Sequence, residues 1–150
     1  MAGAGSVPRM AVSDSLSVTV NAPLDKVLAL LRDIDNQKAW FPGNTESEVL
    51  ERDDAGLCTK ARLVNDVKVA KDEFELDYTN NDTGFTWALV APTKVQKTQK
   101  GSWSLADKGG KTEATMSLTI DTALPLPGFV QKKTLKDTLK GATSALAKQF

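Results

Sequence analysis

Asp72-Glu73-Phe74-Glu75-Leu76-Asp77-Tyr78 alternates without a break: Phe74, Leu76 and Tyr78 fall on one side, Glu73, Glu75 and Asp77 on the other. Successive side chains of a strand point to opposite faces, so this stretch is predicted to be half-buried β structure with one oily face and one row of carboxylates in water. The same alternation puts Asp72 on the oily side. Working outward, Phe85, Trp87 and Leu89 repeat the pattern, as do Trp103 and Leu105, and then Ala114, Met116, Leu118 and Ile120. Seven strands are predicted, at 12–20, 44–52, 57–64, 67–79, 85–91, 94–105 and 112–121. Between them lie turn-forming clusters: Arg52-Asp53-Asp54-Ala55-Gly56, Asn65-Asp66, Asn80-Asn81-Asp82-Thr83-Gly84 and Ala106-Asp107-Lys108-Gly109-Gly110. Connections this short imply antiparallel neighbours, because a parallel crossover needs about a dozen residues or more.

Helical spacing appears twice. Asn21-Ala22-Pro23 closes the first strand, and Leu24, Val27, Leu28, Leu31 and Ile34 then line one side of an amphipathic helix. A second short helix or turn over 35–40 stops at Phe41-Pro42-Gly43. After Leu124-Pro125-Leu126-Pro127-Gly128, a helix is predicted from Phe129 to Lys148, about 30 Å long at about 1.5 Å per residue. Its apolar stripe is Leu135, Leu139, Ala142 and Leu146, with Lys133, Lys136 and Lys140 nearly opposite. That stripe is thin, and Thr138, Gly141 and Ala145 flank it. Small side chains over a wide aromatic face predict unfilled space between helix and sheet.

Composition bounds the function. The chain has 150 residues, 41% hydrophobic and 25% charged, with 19 basic and 19 acidic side chains, so neither a polyelectrolyte nor a basic nucleic-acid binder is expected. There is no histidine and a single cysteine, Cys58, which excludes an intrachain disulfide, a Cys/His zinc site and every His-dependent nucleophilic dyad. No metal and no cofactor are expected. No run is long and apolar enough for a membrane span, and Met1 to Met10 lack the apolar centre of a secretory signal, which leads to the expectation of a soluble, cytoplasmic monomer. Residues 1–10 are read as a flexible tail and 11–150 as one domain. Residues 1–90 carry 9 basic and 15 acidic side chains, whereas 91–150 carry 10 basic and 4 acidic, so the molecule is expected to have opposed charged faces. Lys132, Lys133, Lys136 and Lys140 are read as the solvated back of the last helix or, alternatively, as a transient contact with an anionic membrane surface.

Three stretches, taken with this element order, carry a resemblance: Val20-Asn21-Ala22-Pro23-Leu24-Asp25-Lys26-Val27 through Asp33; Trp40-Phe41-Pro42 leading to Glu48-Val49-Leu50-Glu51-Arg52; and Leu124 to Phe129 before the final helix. Over residues 12–149 the sequence resembles the START-like (SRPBCC) superfamily, in its polyketide cyclase/dehydrase, lipid-transport and coenzyme-Q-binding branch. The resemblance implies an α+β helix-grip fold: a curved antiparallel seven-stranded sheet wrapped around a long C-terminal helix, with two short helices after the first strand. It also implies an internal apolar cavity for a lipid, isoprenoid quinone or polyketide-like molecule.

On that reading, aromatic residues that would otherwise be plain core become cavity walls. The expected ligand-binding set is Trp40, Phe74, Leu76, Tyr78, Trp87, Leu89, Gln99, Trp103, Met116, Phe129, Leu135, Leu139 and Ala142. Gln99, on the parity of Trp103, is placed to hydrogen-bond a ligand carbonyl. Asp72 needs a partner, solvent or a raised pKa, with Arg62 or Arg32 as candidate partners. The leading expectation is a carrier for a hydrophobic small molecule. The alternative is a cyclase or dehydratase in which Asp72, Tyr78 and Arg62 converge to move protons.

Overall fold

In a computed structural model, which describes residues 11–67 and 70–150, side-chain parity sets the architecture. The first strand, β1 (Val12–Val20), leads to α1 (Leu24–Arg32) and a 3-10 helix (Ile34–Ala39). Six strands follow: β2 (Asn44–Arg52), β3 (Cys58–Val67), β4 (Ala70–Asn81), β5 (Gly84–Leu89), β6 (Gln96–Asp107) and β7 (Thr112–Thr122). A long helix, α2 (Gly128–Ala147), closes the described chain. This is the expected α+β helix-grip arrangement. Residues 1–10, read from sequence as a tail, lie outside the described residues.

All seven strands form one antiparallel sheet in the order β1-β7-β6-β5-β4-β3-β2. Consecutive strands from β2 to β7 are neighbours, so the first strand pairs with the last, and α1 with the 3-10 helix carries the chain from one sheet edge to the other. Register shifts in β2 and between Gln96 and Thr98 of β6 mark bulges, which bend strands and tighten their twist. In β4 the buried residues are Asp72, Phe74, Leu76 and Tyr78, so the alternation read from sequence is the alternation observed.

One turn expectation fails. Asn65-Asp66 is inside β3, not between strands: Asn65 pairs with Asp72 and Asp66 with Lys71. Tertiary partners override turn propensity here. Asn44 Nδ2 donates to Asn65 Oδ1 at 2.9 Å, and the Asp66 N–H donates to the Gly43 carbonyl at 2.8 Å, which holds this end of β3 extended.

The apolar stripe of α2 is buried as expected, with Leu135, Leu139, Ala142 and Leu146 joined by Thr143, whose hydroxyl donates to the Leu139 carbonyl at 2.8 Å. The helix lies closest to β1 and β7, at one side of the sheet. Its Lys132, Lys133, Lys136 and Lys140 are exposed, and Lys133 pairs with Asp137 one turn on at 2.8 Å. Among the described residues no helix is long and apolar enough to cross a membrane.

Gly141 sits inside α2, where glycine costs about 1 kcal/mol relative to alanine. A Cβ added there would meet only the Pro42 ring, at 3.7 Å, an ordinary contact. Gly141→Ala is therefore expected to stabilise the protein by about 0.5–1 kcal/mol, measured as a raised urea midpoint at unchanged slope. A lowered midpoint would mean that α2 and the loop at Pro42 have no room to give.

Candidate functional site

Between the concave face of the sheet, the 3-10 helix and α2 lies a cavity of about 100 Å³. Its deep wall is apolar and buried: Leu63 of β3, Phe74, Leu76 and Tyr78 of β4, Phe85 and Trp87 of β5, Trp103 of β6, and Met116 and Leu118 of β7. Its other lining residues are half-buried or exposed, and so mark the mouth: Gln37, Phe41, Asn65, Gln99, Ile120 and Thr138. The aromatic wall is continuous, with Tyr78, Phe85 and Trp87 in mutual tilted contact at centroid distances of 5.8 to 6.4 Å. Among the described residues, no Lys, Arg, Asp or Glu lines the space.

The position of Trp87 depends on an absent side chain. Trp87 pairs across the ladder with Gly101, and a Cβ built on Gly101 would lie 2.2 Å from the indole ring. Glycine lets the indole lie flat across β6, where its Nε1–H donates to Gln99 Oε1 at 2.8 Å. Gln99 Nε2 in turn donates to Gln96 Oε1, and Gln96 Nε2 donates to Asp72 Oδ2 at 2.7 Å. Gln96 and Gln99 would face opposite ways on a regular strand. The bulge between Gln96 and Thr98 resets the parity and brings both amides to the concave side.

Asp72 is 4% exposed, and Gln96 is its side-chain partner, in place of Arg62 or Arg32. Arg62 projects from the opposite face of the sheet, where its guanidinium donates to Glu46, Glu48 and Glu73 at 3.0 to 3.2 Å. Those carboxylates, Glu46 foremost, raise its pKa further. Arg32 donates to the Asn81 carbonyl. The proton-transfer constellation of Asp72, Tyr78 and Arg62 is therefore not assembled.

Tyr78 does line the cavity, and its hydroxyl finds no hydrogen-bond partner among the described residues. Burial pushes the phenol well above its ordinary value, with the nearby Cys58 adding to the effect. Burial likewise pushes the Cys58 thiol up to about 11, so Cys58 is a closed-off thiol and not a nucleophile.

Of the residues expected at the site, Phe74, Leu76, Tyr78, Trp87, Gln99, Trp103 and Met116 border the cavity. Six others do not. Phe129 is 76% exposed: it lies six residues before Leu135, about 120° round the helix from the buried stripe at 3.6 residues per turn. Trp40 is half-buried with its ring edge-on to Phe41 at 5.6 Å, and it is Phe41, one turn after Gln37, that reaches the cavity. Leu89 ends β5 at the core's periphery. Leu135, Leu139 and Ala142 are buried but point into the packing near β1 and β7, leaving Thr138 as the α2 residue at the mouth. Gln37, Phe41, Asn65, Gln96 and Thr138 were not foreseen. Leu63 and Phe85 lie on the inward parity that alternation alone assigns them. Among the described residues, no group of three or more Cys, Asp or Glu side chains is placed to hold a metal ion.

The fold has recognisable relatives. The family model described as polyketide cyclase / dehydrase and lipid transport matches residues 12–150, and the chain belongs to that family. Its structure is similar to that of a START superfamily protein from Mycobacterium smegmatis, with a TM-score of 0.85 at 21% identity, covering 91% of this chain and 95% of the other. It is also similar to the Zhui aromatase/cyclase from Streptomyces sp. R1128, with a TM-score of 0.77 at 17% identity over 93% of both chains. A STAR-related lipid transfer protein from Xanthomonas axonopodis gives a TM-score of 0.69 at 22% identity, covering 91% of this chain and 84% of the other. Among curated proteins, none matches in sequence.

Two measurements check this geometry. Gly101→Ala is expected to displace Trp87 and destabilise by about 1–3 kcal/mol, with loss of the downfield indole resonance that its hydrogen bond to Gln99 produces; an unmoved resonance would contradict the packing described. Tyr78 is the only tyrosine, so phenolate absorbance reports it alone. The unfolded phenol ionises near 10 and the folded one higher. Stability from its burial is therefore complete below about pH 10 and lost as pH rises, and phenolate should appear only together with alkaline unfolding. Ionisation near pH 10 in the folded state would refute the burial.

Proposed function

We propose that this protein is a carrier for a hydrophobic small molecule of lipid, isoprenoid quinone or polyketide-like type, held between the sheet and α2, and that it works without catalysis. The observation that supports the reading is the cavity itself: an aromatic and aliphatic deep wall, uncharged polar groups at the mouth and, among the described residues, no charged side chain in the lining. Apolar burial, at roughly 25 cal/mol per Å², supplies the affinity in such a site, and a few placed polar groups supply orientation.

The volume sets a condition. About 100 Å³ is smaller than the roughly 150 Å³ cavity that accepts a benzene ring, and well below the roughly 300 Å³ at which ordinary ligand pockets begin. Loading of a larger ligand therefore requires the roof to lift, and the roof is lightly fastened: Thr138 borders the mouth, and Gly141 offers Pro42 no side chain. Phe129 and Leu126, 76% and 36% exposed, lie beside Lys132, Lys133 and Lys136 at the start of α2. That combination suits a transient contact with an anionic membrane surface, where a monomeric carrier would load.

The enzymatic alternative draws on the likeness to an aromatase/cyclase fold. It is weakened by the placement of Arg62 on the far face and by the Asp72 carboxylate, which does not line the cavity. The carrier reading is tested with N-phenyl-1-naphthylamine, a neutral apolar fluorophore. Wild type is expected to bind it with enhanced emission, and Leu118→Trp, which fills the cavity, should weaken binding at least tenfold with unchanged far-ultraviolet circular dichroism. Equal binding by both proteins would place the fluorophore elsewhere and overturn the reading.

A further inference from the structure

The hydrogen-bond chain at the cavity mouth can run in one direction only. A carboxylate accepts and an indole N–H donates, and these two groups stand at its ends, Asp72 and Trp87. Gln96 must therefore turn its NH₂ to Asp72 and its carbonyl to Gln99. Gln99 must turn its NH₂ to Gln96 and its carbonyl to Trp87. Neither amide can flip without setting two acceptors or two donors against each other.

Pinned in this way, Gln99 has one N–H committed to Gln96 and, among the described residues, no partner for the second N–H of the same NH₂ group, on a residue that borders the cavity. Asn65, also at the mouth, is oriented alike: its Oδ1 accepts from Asn44 and its Nδ2 makes no hydrogen bond among the described residues. Among the described residues, the mouth thus presents fixed N–H donors and no cation. The carboxyl group that anchors the chain, Asp72, sits two amides away.

We propose that Gln99 is the specificity-determining residue of this cavity, donating its free N–H to a carbonyl oxygen on a neutral apolar ligand. The proposal rests on the carrier reading above and narrows its ligand class. A fatty-acid carboxylate is disfavoured, because burying an anion without a cation is costly. A hydrocarbon fits the wall but leaves the Gln99 N–H unmet, with the desolvation cost that implies. The relay also holds the amide in one rotamer before the ligand arrives, so little orientation entropy is lost on binding.

Ethylbenzene, acetophenone and benzoate have nearly the same shape and differ only in carrying a methylene, a carbonyl or a carboxylate, which makes them suitable probes. Titrations into ¹⁵N-labelled protein, followed at the Trp87 indole and Gln99 side-chain resonances, give the dissociation constants. Ethylbenzene and acetophenone are expected to bind, and benzoate to bind at least tenfold more weakly than acetophenone. In Gln99→Met the preference for acetophenone over ethylbenzene should fall by roughly three- to tenfold, the span of a typical net hydrogen bond. The carbonyl ¹³C signal of bound acetophenone in wild type gives a readout independent of the variant's folding, and it should shift downfield relative to the ligand in water-free apolar solvent. If ethylbenzene binds but the carbonyl signal does not shift, or benzoate binds as well as acetophenone, or the preference survives Gln99→Met, the role of Gln99 is overturned while the carrier reading stands. If none of the three binds, both fall.

Discussion

An apolar sheet face has to be kept from water, and here the face is wider than the stripe that covers it. Every strand of β3 to β7 sends large side chains to the concave side, whereas α2 returns Leu135, Leu139, Ala142 and Leu146 and lies toward β1 and β7. The middle of the sheet must therefore cover itself. Tyr78, Phe85 and Trp87 lean on one another for that purpose, and protein interiors pack too densely to leave large gaps. What remains is about 100 Å³, bounded on the helix side by Thr138, Gln37 and Phe41, where among the described residues no long aliphatic chain reaches in.

The polar side of the site follows from that self-covering. Gly101 gives the Trp87 indole a place to lie, and a buried indole N–H needs an acceptor, which Gln99 supplies. Gln99 then needs its own NH₂ satisfied, which the bulge allows by turning Gln96 inward, and Gln96 ends the sequence of demands on Asp72. Packing thus accounts for a buried carboxylate facing an amide. The opposite face follows different rules: Arg62 is surrounded by Glu46, Glu48 and Glu73 in solvent-accessible pairs of the kind that contribute little to stability.

Much of this could be read from residue order, including one point that the proton-transfer expectation overlooked. Arg62 alternates with Ala61 and Leu63, both buried, so parity already puts it on the face away from Asp72. Helical spacing likewise sets Phe129 off the stripe that begins at Leu135. Other features have no local signature. Nothing near Asn65-Asp66 distinguishes a turn from a strand; the Asn44 amide and the Gly43 carbonyl, reached from another strand, make the difference. Likewise Gln96 and Gln99, three apart, read as opposite-facing until a register shift against β7 is known.

Residue order alone established the seven strands, the two-faced pattern of β4, the long final helix with its thin stripe, and the absence of histidine chemistry, because each depends on periodicity or composition. Tertiary packing settled which side chains share the cavity, its volume, and the direction of the hydrogen bonds from Trp87 to Asp72. Those depend on distances between strands far apart in the chain, on one bulge and on where α2 comes to rest, and no local pattern encodes them.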